Sequence, residues 1–103
     1  MKAIVSVLGK DRTGIIAKVS TALFELNANI VDISQTVMQS EYFTMIMMVE
    51  LKGDLTIEKA NIKLQEVAKE LEVEIRIQHE NVFNLMHRIW GEKWLTVARL
   101  FKL

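Results

Sequence analysis

The run Gly9-Lys10-Asp11-Arg12-Thr13-Gly14-Ile15-Ile16 holds the residues whose types and spacing best fit a chemical task. It joins an apolar, strand-like run to an amphipathic, helix-like one. Two glycines and a helix start at such a junction free backbone N–H groups to face a small polar or anionic ligand. Gly14 has no side chain to block approach, and the helix start favours a carboxylate. Each exposed contact of that kind is worth about 0.3–1 kcal/mol, so several must converge. Arg12 is either a bidentate partner for a carboxylate or a solvated surface arginine. Downstream, Asn27-Ala28-Asn29 supplies amide groups. Asp32 either receives a ligand ammonium or serves as an ordinary strand carboxylate that pairs locally or faces water.

Other candidates point away from catalysis. His79-Glu80 and His87 lie at spacings that match neither one face of a helix turn nor a zinc pattern, so no metal and no cofactor are expected. Met38, Met45, Met47 and Met48 fall at strand spacing, where methionine ordinarily fills a core.

The 103 residues fit one domain. Thirteen basic and thirteen acidic residues cancel, which argues against a nucleic-acid partner and leaves association between copies unopposed by charge. Cysteine is absent, so neither a disulfide framework nor a thiolate metal site is available. Met1-Lys2 runs straight into a strand without a leader pattern, and no apolar run approaches the ~20 residues that span a bilayer. The expected location is the cytoplasm, with no membrane partner.

These residues need elements to position them. Lys2 to Leu8 reads as a strand that Gly9 ends. Ile15, Ile16, Val19, Ala22, Leu23 and Leu26 recur at helical spacing; Asp11 is the candidate cap, and Asn27 a left-handed helix end. Ile30 to Gln39 alternates, with Val31, Ile33 and Val37 on one side of a half-buried strand. After Ser40-Glu41, Tyr42 to Leu51 alternates again, which predicts an antiparallel hairpin. Lys52-Gly53-Asp54 reads as a turn. Thr56 starts a second helix buried through Ile57, Ala60, Leu64, Val67, Ala68 and Leu71. Val73, Ile75 and Ile77 mark a fourth strand. Right-handed crossovers then stack both helices on one face of a four-stranded antiparallel sheet.

Ile46 and Met48 point away from that face, so a second sheet or the tail is expected to cover the other one. In the tail, Val82, Phe83, Met86, Ile89, Trp90, Trp94, Val97 and Phe101 recur near helical spacing, interrupted by Gly91. From Trp90 onward it is locally basic, with Lys93, Arg99 and Lys102 against Glu92. That composition fits a membrane-surface helix or a helix laid in an apolar groove, and docking on a sheet is the preferred reading.

The β-α-β-β-α-β order, the loop Gly9 to Ile15 and the strand opening Asn29-Ile30-Val31-Asp32 resemble an ACT domain, in particular small stand-alone ACT proteins related to glycine-cleavage regulators. The resemblance runs over roughly residues 1–89. It implies an α+β, ferredoxin-like fold; with the tail helix read from the spacing above, the chain divides into an ACT-like domain, residues 1–79, and a C-terminal amphipathic helical tail, residues 80–103. It also implies a regulatory module, acting as a homodimer or higher oligomer, that binds a small molecule (an amino acid in the usual case) between copies. Carried over by position, the ligand-binding residues are Asp11, Arg12, Gly14 and Ile15 from one copy, with Asn29, Ile30 and Val31 from its neighbour. Thr13 stands where proline is common in the family, and the sequence from Trp90 onward departs from it.

Two other functions compete. A dimerisation module with an empty loop, its tail recruiting a partner, uses the same fold. An acyl-phosphate hydrolase would use Arg12 to hold phosphate and Asn27 or Asn29 to position water, but no general base stands beside the loop. An RNA-binding sheet is disfavoured because Tyr42 and Phe43 are adjacent and so face opposite sides.

Overall fold

Alternation of apolar side chains drives Lys2–Lys10 into the strand β1, with Ala3, Val5 and Val7 buried on one face. The computed structural model describes residues 1–39 and 41–81; the expected tail helix lies outside the described residues. The remaining elements are α1 (Ile15–Glu25), β2 (Ala28–Met38), β3 (Tyr42–Leu51), α2 (Ile57–Leu71) and β4 (Glu74–His79). The strands form one antiparallel sheet in the order β2-β3-β1-β4. This is the expected α+β, ferredoxin-like arrangement.

Both helices pack on the face carrying Val5, Val7, Met45, Met47 and Ile75, closing a core with Val19, Leu23 and Leu64. Helix α2 begins as its sequence dictates: Thr56 stays extended, and its hydroxyl accepts the Lys59 N–H at 3.2 Å. Asn27, with φ of 60°, ends α1 in the left-handed conformation that asparagine tolerates.

Several details differ from the sequence reading. Strand β1 does not stop at Gly9 but continues to Lys10, because Gly9 and Lys10 go on pairing with Phe43 and Tyr42 of β3. The start of α1 is Gly14, with φ of 94° and no side-chain cap; Asp11 lies three residues earlier and uses its backbone instead. Ile16 is exposed, since it falls beside the buried stripe of Ile15, Val19, Ala22 and Leu23. In β2 the alternation breaks at a bulge between Ile30 and Asp32, where Val31 is the extra residue opposite β3.

That bulge sits on an edge strand. Register places Ile33 opposite the buried Met47 and Val37 opposite the buried Phe43, on the helix side of the sheet. The helices do not extend over them. Val31, Ile33 and Val37 are 47%, 43% and 48% exposed, so β2 is less covered than the half-buried strand its pattern predicts.

Candidate functional site

The segment between β1 and α1 is held at two points. The Asp11 N–H donates to the Glu41 carbonyl at 2.7 Å, tying the loop to the β2–β3 connection. On the other side, Arg12 Nη1 donates to the Leu71 carbonyl at 2.9 Å, at the C-terminal end of α2. That carbonyl is among those a helix end leaves without an internal partner, and a cation there also opposes the negative end of the helix dipole. The next residue, Glu72, is left-handed with φ of 57°. Arg12 therefore closes a helix end, a role its sequence position gave no sign of.

Between these anchors the backbone is open. A Cβ placed on Gly14 would meet nothing within 4 Å, so the glycine answers to its positive φ and not to crowding. No side chain caps α1 and no acidic residue stands in its first turn. The first turn of α1 thus starts beside a residue without a side chain and without a side-chain cap. Ile15, the first residue of the helix, is buried in the core, so its side chain takes no part in such an opening.

The second group of candidate residues lies elsewhere. Asn29 aligns with Glu50, which aligns with Lys2, at the start of β1. Met38 aligns with Tyr42, and Tyr42 with Lys10, at its end. The eight steps from Lys2 to Lys10 amount to about 26 Å at ~3.3 Å per strand residue. Within one chain the fold does not bring Asn29, Ile30 and Val31 to the Asp11–Gly14 loop. Asn29 and Val31 are exposed, while Ile30 is partly buried against the core. Asp32 turns its carboxylate onto its own strand, accepting the Ile33 N–H at 2.8 Å.

Phe24, on α1, is 82% exposed and was not a candidate from the sequence. Its signal was present: an aromatic residue outside the apolar stripe of an amphipathic helix. The anchors Glu41 and Leu71 act through backbone carbonyls, which no side-chain motif reveals.

A shallow groove between α1 and α2 contains none of the candidate residues. Ala17, Thr21 and Val67 line it, and ion pairs of Lys18 with Glu70 and Lys63 with Glu25 flank it. The hydrogen bond and charge of Lys18 hold the Glu70 carboxyl below its ordinary pKa of 4.5. Among the described residues there is no cluster of three or more potential metal ligands, and no helix is long and apolar enough to cross a membrane.

Comparison with known proteins gives a consistent result. The family model described as ACT domain matches residues 2–78. A UPF0237 protein of Clostridium acetobutylicum is 52% identical over 90 residues, spanning 86% of this chain and all of that protein. Among solved structures, an ACT domain protein from Streptococcus pneumoniae superposes with a TM-score of 0.72 at 42% identity, covering 81% of this chain and 93% of that one. The regulatory subunit of aspartate kinase from Thermus thermophilus, in its ligand-free form, superposes with a TM-score of 0.61 at 27% identity, covering 75% of this chain and 50% of that one.

Proposed function

The chain belongs to the ACT-domain family, and on that premise we propose that it is a regulatory module whose small-molecule site is built by two copies. The ligand is an amino acid, its carboxylate received by the amides at Gly14, Ile15 and Ile16 beside Asp11 and Arg12. The neighbouring copy supplies Asn29, Ile30 and Val31. No step of this role requires catalysis. The similarity to the regulatory subunit of an aspartate kinase supports a regulatory role.

The observation that carries the reading is the separation of the two residue groups along the sheet. A two-fold axis beside β2 would lay one copy's β2 antiparallel to the other's. The Asn29 end of each would then meet the Met38 end of its partner, on the level of Lys10 and the loop. The two sheet edges differ in fitness for such pairing. β4 is six residues long and exposes Glu74, Arg76 and Gln78, whereas β2 is eleven residues long and is flanked by exposed Val31, Ile33, Val37 and Phe24. Unpaired edges with adjoining apolar surface are where chains associate.

Thermal melts against a panel of amino acids, paired with light scattering, test this. A ligand at a hundred times its Kd stabilises by about 2.7 kcal/mol, readily visible in a domain this small. Ile33→Glu should abolish both the dimer and the ligand-induced shift. A panel without any effect at millimolar concentration refutes the ligand, and a monomer at every concentration refutes the shared site. The second reading, a dimerisation module with an empty loop, is favoured by the engagement of Arg12 with Leu71 and predicts a dimer without any shift.

A further inference from the structure

The face of the sheet turned away from the helices carries a central apolar patch: Ile4 and Leu8 on β1, Ile46 and Met48 on β3. Cross-strand register places Met48, Ile4 and Gln78 in one row, and Thr44, Leu8 and Glu74 in another four residues along. Nothing among the described residues forms a layer over this face. Yet Ile4 is only 6% exposed while standing outside the core cluster, and Leu8, Ile46 and Met48 are half-buried. The Thr44 hydroxyl, on the same face, is buried without a hydrogen-bond partner among the described residues. A bare sheet face leaves such groups in contact with water.

We infer that residues 82–103 fold back over this face in their own chain, seating their apolar side on Ile4, Leu8, Ile46 and Met48. The burial is found in a single chain, so a second copy is not needed to produce it. The path is short as well. Ile4 pairs with Gln78, and β4 ends at His79, one residue further on. There the backbone turns helical at Glu80 and Asn81, the Asn81 N–H donating to His79 Nδ1 at 3.0 Å. Residues 82–103 number 22, from 103 less 81. Ile4 to Leu8 spans about 13 Å of strand, which about nine helical residues cover. Phe83, Met86, Trp90 and Trp94, at three- and four-residue spacing, supply one apolar side. Docking there would close the open face to other copies and leave the β2 edge as the surface for assembly.

The chain reports on its own tail, because its two tryptophans are Trp90 and Trp94. Tryptophan emission and acrylamide quenching are measured on the full chain and on Met48→Glu, with circular dichroism as the control for folding. The expected result is blue-shifted, protected emission in the natural chain that does not change on dilution. In Met48→Glu it should shift red toward free indole and lose its protection. A second measurement needs no variant: nuclear Overhauser contacts between the indole protons and the methyls of Ile4 and Ile46 are expected in the natural chain. Solvent-exposed emission in the natural chain overturns the inference, as does the absence of those contacts. Emission that turns exposed on dilution, in step with dissociation by light scattering, also overturns it and places the tail on a neighbour's sheet.

Discussion

Replacing Gly9 by alanine should destabilise the domain through one neighbour. The new Cβ would lie 2.6 Å from Val73 Cγ1, 3.0 Å from its Cβ and 3.2 Å from its Cα. Carbon atoms rest at about 3.5–4.0 Å, so the side chain and the backbone of Val73 must both retreat. Overpacking of this kind costs about 1–3 kcal/mol. In a domain of this length each kcal/mol lowers the melting midpoint by about 4–8 °C. Val73→Ala removes the nearest of the three contacts but leaves the other two, so it should rescue Gly9→Ala in part, with a coupling near 1 kcal/mol. Gly14→Ala provides the contrast. Its Cβ would meet nothing, and its cost of about 1–2 kcal/mol comes from a φ of 94° alone, so Val73→Ala should not alter it. Urea titrations followed by circular dichroism on the single and double variants read these values. Additivity of Gly9→Ala and Val73→Ala within about 0.3–0.5 kcal/mol would refute the steric argument.

Arg12→Ala should lower the unfolding free energy by about 1 kcal/mol with no ligand present, because it strips the Leu71 carbonyl of its donor; denaturant titration checks this, and an unchanged midpoint would return Arg12 to the solvent. Thr56→Ala should cost about 1 kcal/mol in the same assay, and Thr56→Ser should recover most of it. The depressed pKa of Glu70 makes its ion pair with Lys18 a contribution present above pH 4.5 and lost as the pH falls through the lower, folded value. Glu70→Gln should therefore flatten the acid limb of a melting-temperature profile, and added salt should shrink the difference since both partners are exposed.

The elements were legible wherever local chemistry and core packing agreed. Thr56 capped the helix it was expected to cap, β3 ran over the whole alternating stretch, and Asn27 took the left-handed turn. Errors arose where a distant residue decided the outcome. Gly9 stays inside β1 because it and Lys10 pair with Phe43 and Tyr42 of β3, while Val73 occupies the space a side chain there would need. Asp11 lies three residues before the Gly14 start of α1, its N–H donating to the Glu41 carbonyl, and so does not cap the helix. β2 was misread differently: its apolar residues do face the helix side, but a period-two pattern carries no information about how far the helices extend. For the site, the open glycine at the start of α1 was visible in the sequence. The engagement of Arg12 was not, since its partner is a backbone carbonyl.

The spacing of the candidate residues has a thermodynamic consequence. When each site is completed by a neighbour, a ligand that binds only the completed site must stabilise the assembly by the same free energy that assembly lends to binding. Apparent affinity then depends on protein concentration as well as ligand concentration, and dilution below the dimer dissociation constant weakens both together. A site contained within one chain would not behave in this way. On the proposed shared site, the exposed Val31, Ile33 and Val37 of the β2 edge would set the concentration at which the loop at Gly14 gains its other wall. Substituting Ile33 should move the ligand response along the protein-concentration axis before it alters the fold, whereas substituting Gly14 should weaken the response at every concentration.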